Sequence, residues 1–185
     1  MSARRVVVDE RVRLKCRYPP CESYGKSLMC PPYTTTPEEF RRILSKYKHA
    51  ILIQTDFDVP DAMKKRIQSE GARYVDLIDE KEFSDTRKKW ALETWMKLNR
   101  IVEDVEREAF RKGYYLATGF TAGSCKLCDS CDVSSPCKHP WRSRPAMEAV
   151  GIDVFRTAKN AGMKIEWLPG SEREKIVRNC LVLVD

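Results

Sequence analysis

The tightest constraint on this chain is Cys125-Lys126-Leu127-Cys128-Asp129-Ser130-Cys131, followed by Asp132-Val133-Ser134-Ser135-Pro136 and Cys137-Lys138-His139-Pro140. Four thiols fall within thirteen residues, separated by two, two and five others, with no hydrophobic periodicity between them. A stretch this short buries no core of its own, so something other than packing must order it. A C-x2-C-x2-C run sets three sulfurs on one tight loop, an arrangement that caps three corners of a cubane while a later cysteine reaches the fourth iron. Structural zinc sites use two separated knuckles, and a third interposed cysteine is redundant there. The spacing therefore points to a [4Fe–4S] cluster, with zinc as the alternative and disulfides or free thiols last. The gap before Cys137 is longer than in a bacterial ferredoxin run, and Lys138 and His139 separate Cys137 from Pro140, so which cluster Cys137 serves is open.

A second constellation precedes it: Cys16-Arg17-Tyr18-Pro19-Pro20-Cys21, then Cys30-Pro31-Pro32-Tyr33. The prolines forbid a continuous helix or a central strand, which predicts a rigid loop holding three thiols. Three cysteines without a fourth nearby admit three explanations. They bind a cluster with one open iron, they borrow Cys137 or Cys180 from far along the chain, or they are buried structural cysteines. One or two [4Fe–4S] clusters follow, with zinc as the alternative cofactor.

Eight cysteines in 185 residues suit a secreted disulfide scaffold as well. The N-terminus has no apolar signal region, however, and the thiols are clustered, so a cytoplasmic, reducing setting is the expectation. No apolar run approaches the eighteen or so residues of a membrane span. The formal net charge of +7 counts the thiols as neutral. Seven thiolates on two cluster cores lower the balance to about +4, so the basic character offsets the cofactors as readily as it recruits nucleic acid.

Between the cysteine sets the sequence reads as an ordinary mixed domain. Val6-Val7-Val8 suggests a short strand. Thr36, Pro37, Glu38 and Glu39 form a helix start, leading through Phe40, Ile43, Leu44 and Tyr47. Ala50 to Thr55 reads as a buried strand, and Ala62 to Ser69 as a short helix ended by Gly71. Tyr74 to Ile78 is strand or loop. Ser84-Asp85 caps the longest helix, whose apolar stripe runs from Trp90 to Phe110 and stops at Gly113. Tyr114 to Phe120 is then a strand that delivers the chain into the second cysteine loop. Pro145 starts a short helix, Asp153 caps another over Val154 to Asn160, Met163 to Leu168 alternates as a strand, and Asn179 to Val184 closes the chain as a strand. Cys180, inside that last strand, is expected to pack rather than ligate. The expectation is one α/β or α+β domain over 1–185, with a small central sheet flanked by helices and cysteine-rich metal-binding loops at 16–33 and 123–140.

Cys16 to Cys21, Tyr24-Gly25-Lys26, Cys30-Pro31-Pro32-Tyr33, the Cys125 to Cys137 run with His139-Pro140, Arg144-Pro145-Ala146-Met147-Glu148-Ala149 and Gly151-Ile152-Asp153-Val154 together resemble the DUF2284 family of metal-binding proteins. The resemblance runs over nearly the whole chain. It implies metal binding and an anaerobic setting, and it assigns no reaction.

The expected ligands are Cys125, Cys128, Cys131 and Cys137, and Cys16, Cys21 and Cys30. Around them Lys126, Lys138, His139, Arg142 and Arg144 would raise a cluster's potential, face an acidic redox partner protein, or hold an anionic substrate. The leading function is electron transfer, or an accessory subunit of an anaerobic redox enzyme. A second is catalysis at an open iron on Cys16, Cys21 and Cys30 acting as a Lewis acid, with Tyr24, Lys26, Tyr33 and His139 as acid–base candidates. A third is a zinc-stabilised binding module. Nucleic acid is disfavoured, because Asp and Glu are interspersed with the basic residues. No P-loop, dinucleotide or nucleophile-elbow motif occurs.

Overall fold

A computed structural model of the chain describes residues 1–70, 77, 79–165 and 175–185. Among these the helices are α1 (Arg11–Arg17), α2 (Pro37–Leu44), α3 (Asp61–Glu70), α4 (Lys81–Arg111) and α5 (Val154–Asn160), with single 3-10 turns at Ala3–Arg5 and Glu148–Val150. The strands are β1 (His49–Asp58), β2 (Thr118–Phe120) and β3 (Lys175–Val184). They form one antiparallel sheet in the order β1-β3-β2, so the fold is α+β. None of the described helices is long and apolar enough to cross a membrane.

The last strand of the chain is the middle strand of the sheet, which explains its unbroken apolar run. Residues Asn179 to Val184 are buried on both faces. Leu181 and Leu183 enter a core with Phe40, Leu44, Met147 and Ile152. Cys180, Val182 and Val184 point the other way, against Leu98 and Val102 of α4. A third core packs Met63 and Ile67 of α3 on Phe83 at the start of α4. The long helix thus covers one face of the sheet, while α2 and the segment 146–158 cover the other.

Where the sequence carries explicit end signals, structure follows them. Thr36 caps α2 with a reciprocal bond to Glu39, and Pro37 opens it. The Asp153 side chain accepts from the Arg156 amide at the start of α5. Other expectations need correction. Val6 to Val8 form no strand: the N-terminal segment touches the start of β1 at the isolated Ser2–His49 bridge and then leaves it, so Val8 makes only a single bridge, to Ile152. The first cysteine segment is not loop throughout, since Cys16 lies in the last turn of α1, which ends at Arg17 ahead of the prolines. The long helix starts at Lys81, with Glu80 and not Ser84 at its cap position. Buried Phe83 accounts for the earlier start, because its place in the third core requires the first turn to be helical already.

Only Thr118–Phe120 of the expected 114–120 strand pairs, because Tyr114, Tyr115 and Leu116 lie exposed beyond the end of the sheet. Pro145 begins no helix: Thr121 and Ala146 form a parallel bridge, which leaves room for only the 148–150 turn. Met163–Ile165 are irregular, and the rest of that expected strand lies outside the described residues, as do Gly71 and Tyr74 to Asp76.

Candidate metal centre

The second cysteine loop is held at both ends by the sheet and the long helix. At its entrance, Thr121 donates its amide to Pro145 O, and Met147 donates back to Thr121 O. Gly119 lets β2 press on α4, since a Cβ there would stand 2.2 Å from Val102 Cγ1. At its exit, Arg144 pairs with Glu106 of α4 through two nitrogens, with Nε–Oε1 at 2.9 Å and Nη2–Oε2 at 2.7 Å. Arg142 bonds Glu103 at 3.2 Å, and Asn99 donates to the Arg142 carbonyl at 3.1 Å. Both arginines, expected from sequence to stand beside the ligands or contact anions, pair with carboxylates of α4: Arg144 is mostly shielded in its pair, whereas Arg142 engages only its Nε and stays half-exposed.

Inside the loop, Cys125, Cys128, Cys131 and Cys137 line one cleft, together with Leu127, Lys138 and His139. The Cys137 sulfur accepts the His139 amide at 3.4 Å, and its thiol donates to Ser143 Oγ at 3.4 Å. Burial pushes the Cys125 thiol up; the Leu127 amide bonded to it opposes this, and Cys137, Cys128 and Cys131 add to it by like charge. Asp132 accepts from Ser134 N and Oγ and so orders the longer gap before Cys137. Cys137 therefore sits with the three cysteines that precede it. Lys138 is exposed at the cleft, and Lys126 is half-buried beside Cys125 without lining it.

The first set is built from the end of α1 and two proline-flanked turns. Cys21 donates its amide to Cys16 O, Cys30 to Ser27 O, and Gly25 to Pro31 O. The Tyr18–Pro19 and Pro31–Pro32 bonds are cis. Cys30 is buried, Cys16 is half-buried and Cys21 is exposed. The Cys30 thiol is pushed up to about 11, chiefly by burial; a hydrogen bond with Ser27 lowers it, while Cys21, Cys16 and Cys125 raise it. That last influence crosses from one set to the other. Ser27, Leu28 and Met29 also line the cleft of the second set, so the fold makes the two sets neighbours.

Cys180 joins neither set. It is fully buried in β3 among Phe57, Leu98 and Val102, and burial pushes its thiol up to about 12. The residue that sequence reasoning missed is Glu148. Its Oε2 has no solvent contact and no hydrogen-bond partner, although the residue as a whole is only half-buried. Burial pushes its carboxyl up, against a hydrogen bond from its own backbone amide and the charges of Arg178 and Lys15. The signal was available: Glu148 is the lone acid in the otherwise apolar run Ala146 to Ile152.

Seven thiols in two adjacent groups, several bonded by amides or hydroxyls, form a donor set suited to soft metals. Among the described residues, no three His, Cys, Asp or Glu side chains are drawn tightly enough together to hold a single ion. No curated protein and no solved structure matches the chain. A family model described as "Predicted metal-binding protein (DUF2284)" matches residues 1–184, and the chain belongs to that family.

Proposed function

We propose that this is an iron–sulfur protein in which Cys125, Cys128, Cys131 and Cys137 hold one [4Fe–4S] cluster, Cys16, Cys21 and Cys30 hold a second beside it, and single electrons pass to a redox partner protein. The adjacency of the two sets carries the reading: Ser27, Leu28 and Met29, just before Cys30, line the same cleft as Cys125, Cys128, Cys131 and Cys137. A thiolate-bound cluster gains or loses one electron with little ligand movement. The chain's own part is to hold the thiolates and tune them. The amides of His139 and Leu127 and the hydroxyl of Ser27 stabilise negative sulfur, which favours the reduced state. Leu127, Leu28 and Met29 keep water from the cleft, and Lys138 offers a positive edge to a partner.

The sequence spacing supports a multi-iron core over zinc: three cysteines two residues apart suit three corners of a cubane, whereas a structural zinc site uses two separated knuckles. The test is anaerobic purification, with a visible spectrum and electron paramagnetic resonance during reductive titration. The expected outcome is a brown protein with one-electron cluster signals. A colourless, zinc-replete protein with no reducible signal would overturn the proposal.

A further inference from the structure

Helix α4 does not fray where it ends; a Schellman turn closes it. Gly113, at φ 91°, donates its amide to Phe110 O, and Tyr114 donates to Ala109 O, both at 3.0 Å. The Tyr47 hydroxyl fastens the next residues by donating to Leu116 O at 2.9 Å. Yet this firmly held stretch turns large apolar side chains outward: Phe110, Tyr114, Tyr115 and Leu116 are all exposed, Tyr115 to 69%. Trp141, exposed to 88%, sits in the turn that closes on the Cys137 sulfur. There the Arg142 and Ser143 amides donate to His139 O, while the His139 amide and the Ser143 hydroxyl both meet the sulfur. Helix α4 holds this turn as well, with Asn99 on the Arg142 carbonyl and Glu106 on Arg144, which in turn donates to Trp141 O. Phe110, Tyr114, Tyr115 and Trp141 line one groove of about 370 Å³ beside the second cysteine loop.

Single exposed apolar residues are ordinary on a protein surface, but four aromatic rings around one groove mark a binding face. Trp and Tyr carry much of the energy at protein interfaces, and a backbone already fixed lowers the cost of ordering them. The charges around the groove describe what fits it. Glu103, Asp104, Glu106 and Glu108 are taken by Arg142, Arg107, Arg144 and Arg111 respectively. Lys112, which reaches the same Glu108 only at 3.8 Å, and exposed Lys138 are left over, so the surroundings carry surplus positive charge. A run of phosphates needs a track of cations free of acids, whereas Glu103 and Glu106 lie in the groove itself. An acidic protein face meets no such obstacle, because it sets its carboxylates at the rim and an apolar side chain between the rings.

We infer that this groove docks the redox partner, an electron-carrier protein whose contact face surrounds an apolar side chain with carboxylates. The inference rests on the electron-transfer reading above. In the complex the reduced cluster at Cys125, Cys128, Cys131 and Cys137 loses one electron, the partner's centre gains it, and no bond or proton moves. Trp141, in the same turn as the Cys137 sulfur's hydrogen bonds, sets the partner beside that cluster.

The test uses the full chain, purified and reduced without oxygen, then mixed by stopped flow with three one-electron oxidants. These are cytochrome b5 as an acidic haem carrier, cytochrome c as a basic one, and hexaammineruthenium(III) as a small ion that needs no docking face. We expect added salt to slow the reaction with cytochrome b5 and not that with cytochrome c. Trp141→Ala and Tyr115→Ala should each lower the cytochrome b5 rate about tenfold, with iron content and the ruthenium rate unchanged. Equal cytochrome b5 rates in wild type and both variants, or a rate indifferent to salt, would overturn the inference. A dimer of the chain that Trp141→Ala dissolves, or oligothymidine bound by wild type and not by that variant, would give the groove to another occupant and overturn it as well. If Trp141→Ala fails to fold, Tyr115→Ala decides. A chain without one-electron cluster signals that reduces none of the three would instead remove the electron-transfer reading itself.

Discussion

Cys180 shows how a single side chain reports its surroundings. Its thiol is pushed up to about 12 by burial, so the folded protein keeps a proton that the unfolded chain releases above about pH 9. The stabilisation from that difference is intact below about pH 9 and declines as pH rises toward 12, by at most about 1.4 kcal/mol per pH unit for one proton. Cys16, Cys30 and Cys125 are shifted the same way by burial. Urea unfolding of metal-free protein should therefore show stability falling above about pH 9, and Cys180→Ala should flatten part of that fall while lowering stability at neutral pH by about 1–2 kcal/mol. An identical alkaline slope in the variant would show that Cys180 is not the buried thiol described. The role of Cys180 as core, and the two thiol loops, were legible from residue identity and spacing. Glu148 was not, because what distinguishes it is an unpaired oxygen, and pairing is a property of the folded chain.

At the scale of elements, the features that place the cysteine loops are a cap, a close approach and an ion pair. Thr36 and Glu39 satisfy each other's amides at the start of α2. Thr36→Ala should cost about 1 kcal/mol in chemical denaturation without changing metal content. Gly119 stands where β2 meets α4, and an added methyl would run into Val102 and Glu106. Gly119→Ala should cost about 1–3 kcal/mol and loosen the loop that follows. The Arg144–Glu106 pair is mostly shielded from solvent, so Arg144→Ala should cost about 2–3 kcal/mol and reduce metal at the second set first, as read by iron content. Unchanged iron there would show that the loop does not depend on α4. Helices with sequence-coded ends, α2 and α5, were readable in advance. The start of α4 and the shortness of β2 were not, since Phe83 is placed by the core it packs into, and Tyr114 to Leu116 are left exposed beyond the sheet despite their apolar run.

For the whole molecule, the sheet is a spacer that turns two loops about a hundred residues apart into one site. The central place of β3 puts α4 on one face and the 146–158 segment on the other. The second loop leaves from β2 and returns through that segment, whose 148–150 turn meets α1. Sequence spacing predicts each thiol set by itself; that they adjoin follows only from the antiparallel topology, where an α/β arrangement had been an equal expectation. The account stands or falls on two separable but neighbouring metal centres, so the most direct measurement is the iron and sulfide content of wild type, Cys128→Ala and Cys21→Ala, purified without oxygen. It predicts about eight irons in wild type and roughly half in each variant. Loss of all metal from either single change, or zinc in place of iron and sulfide, would contradict it.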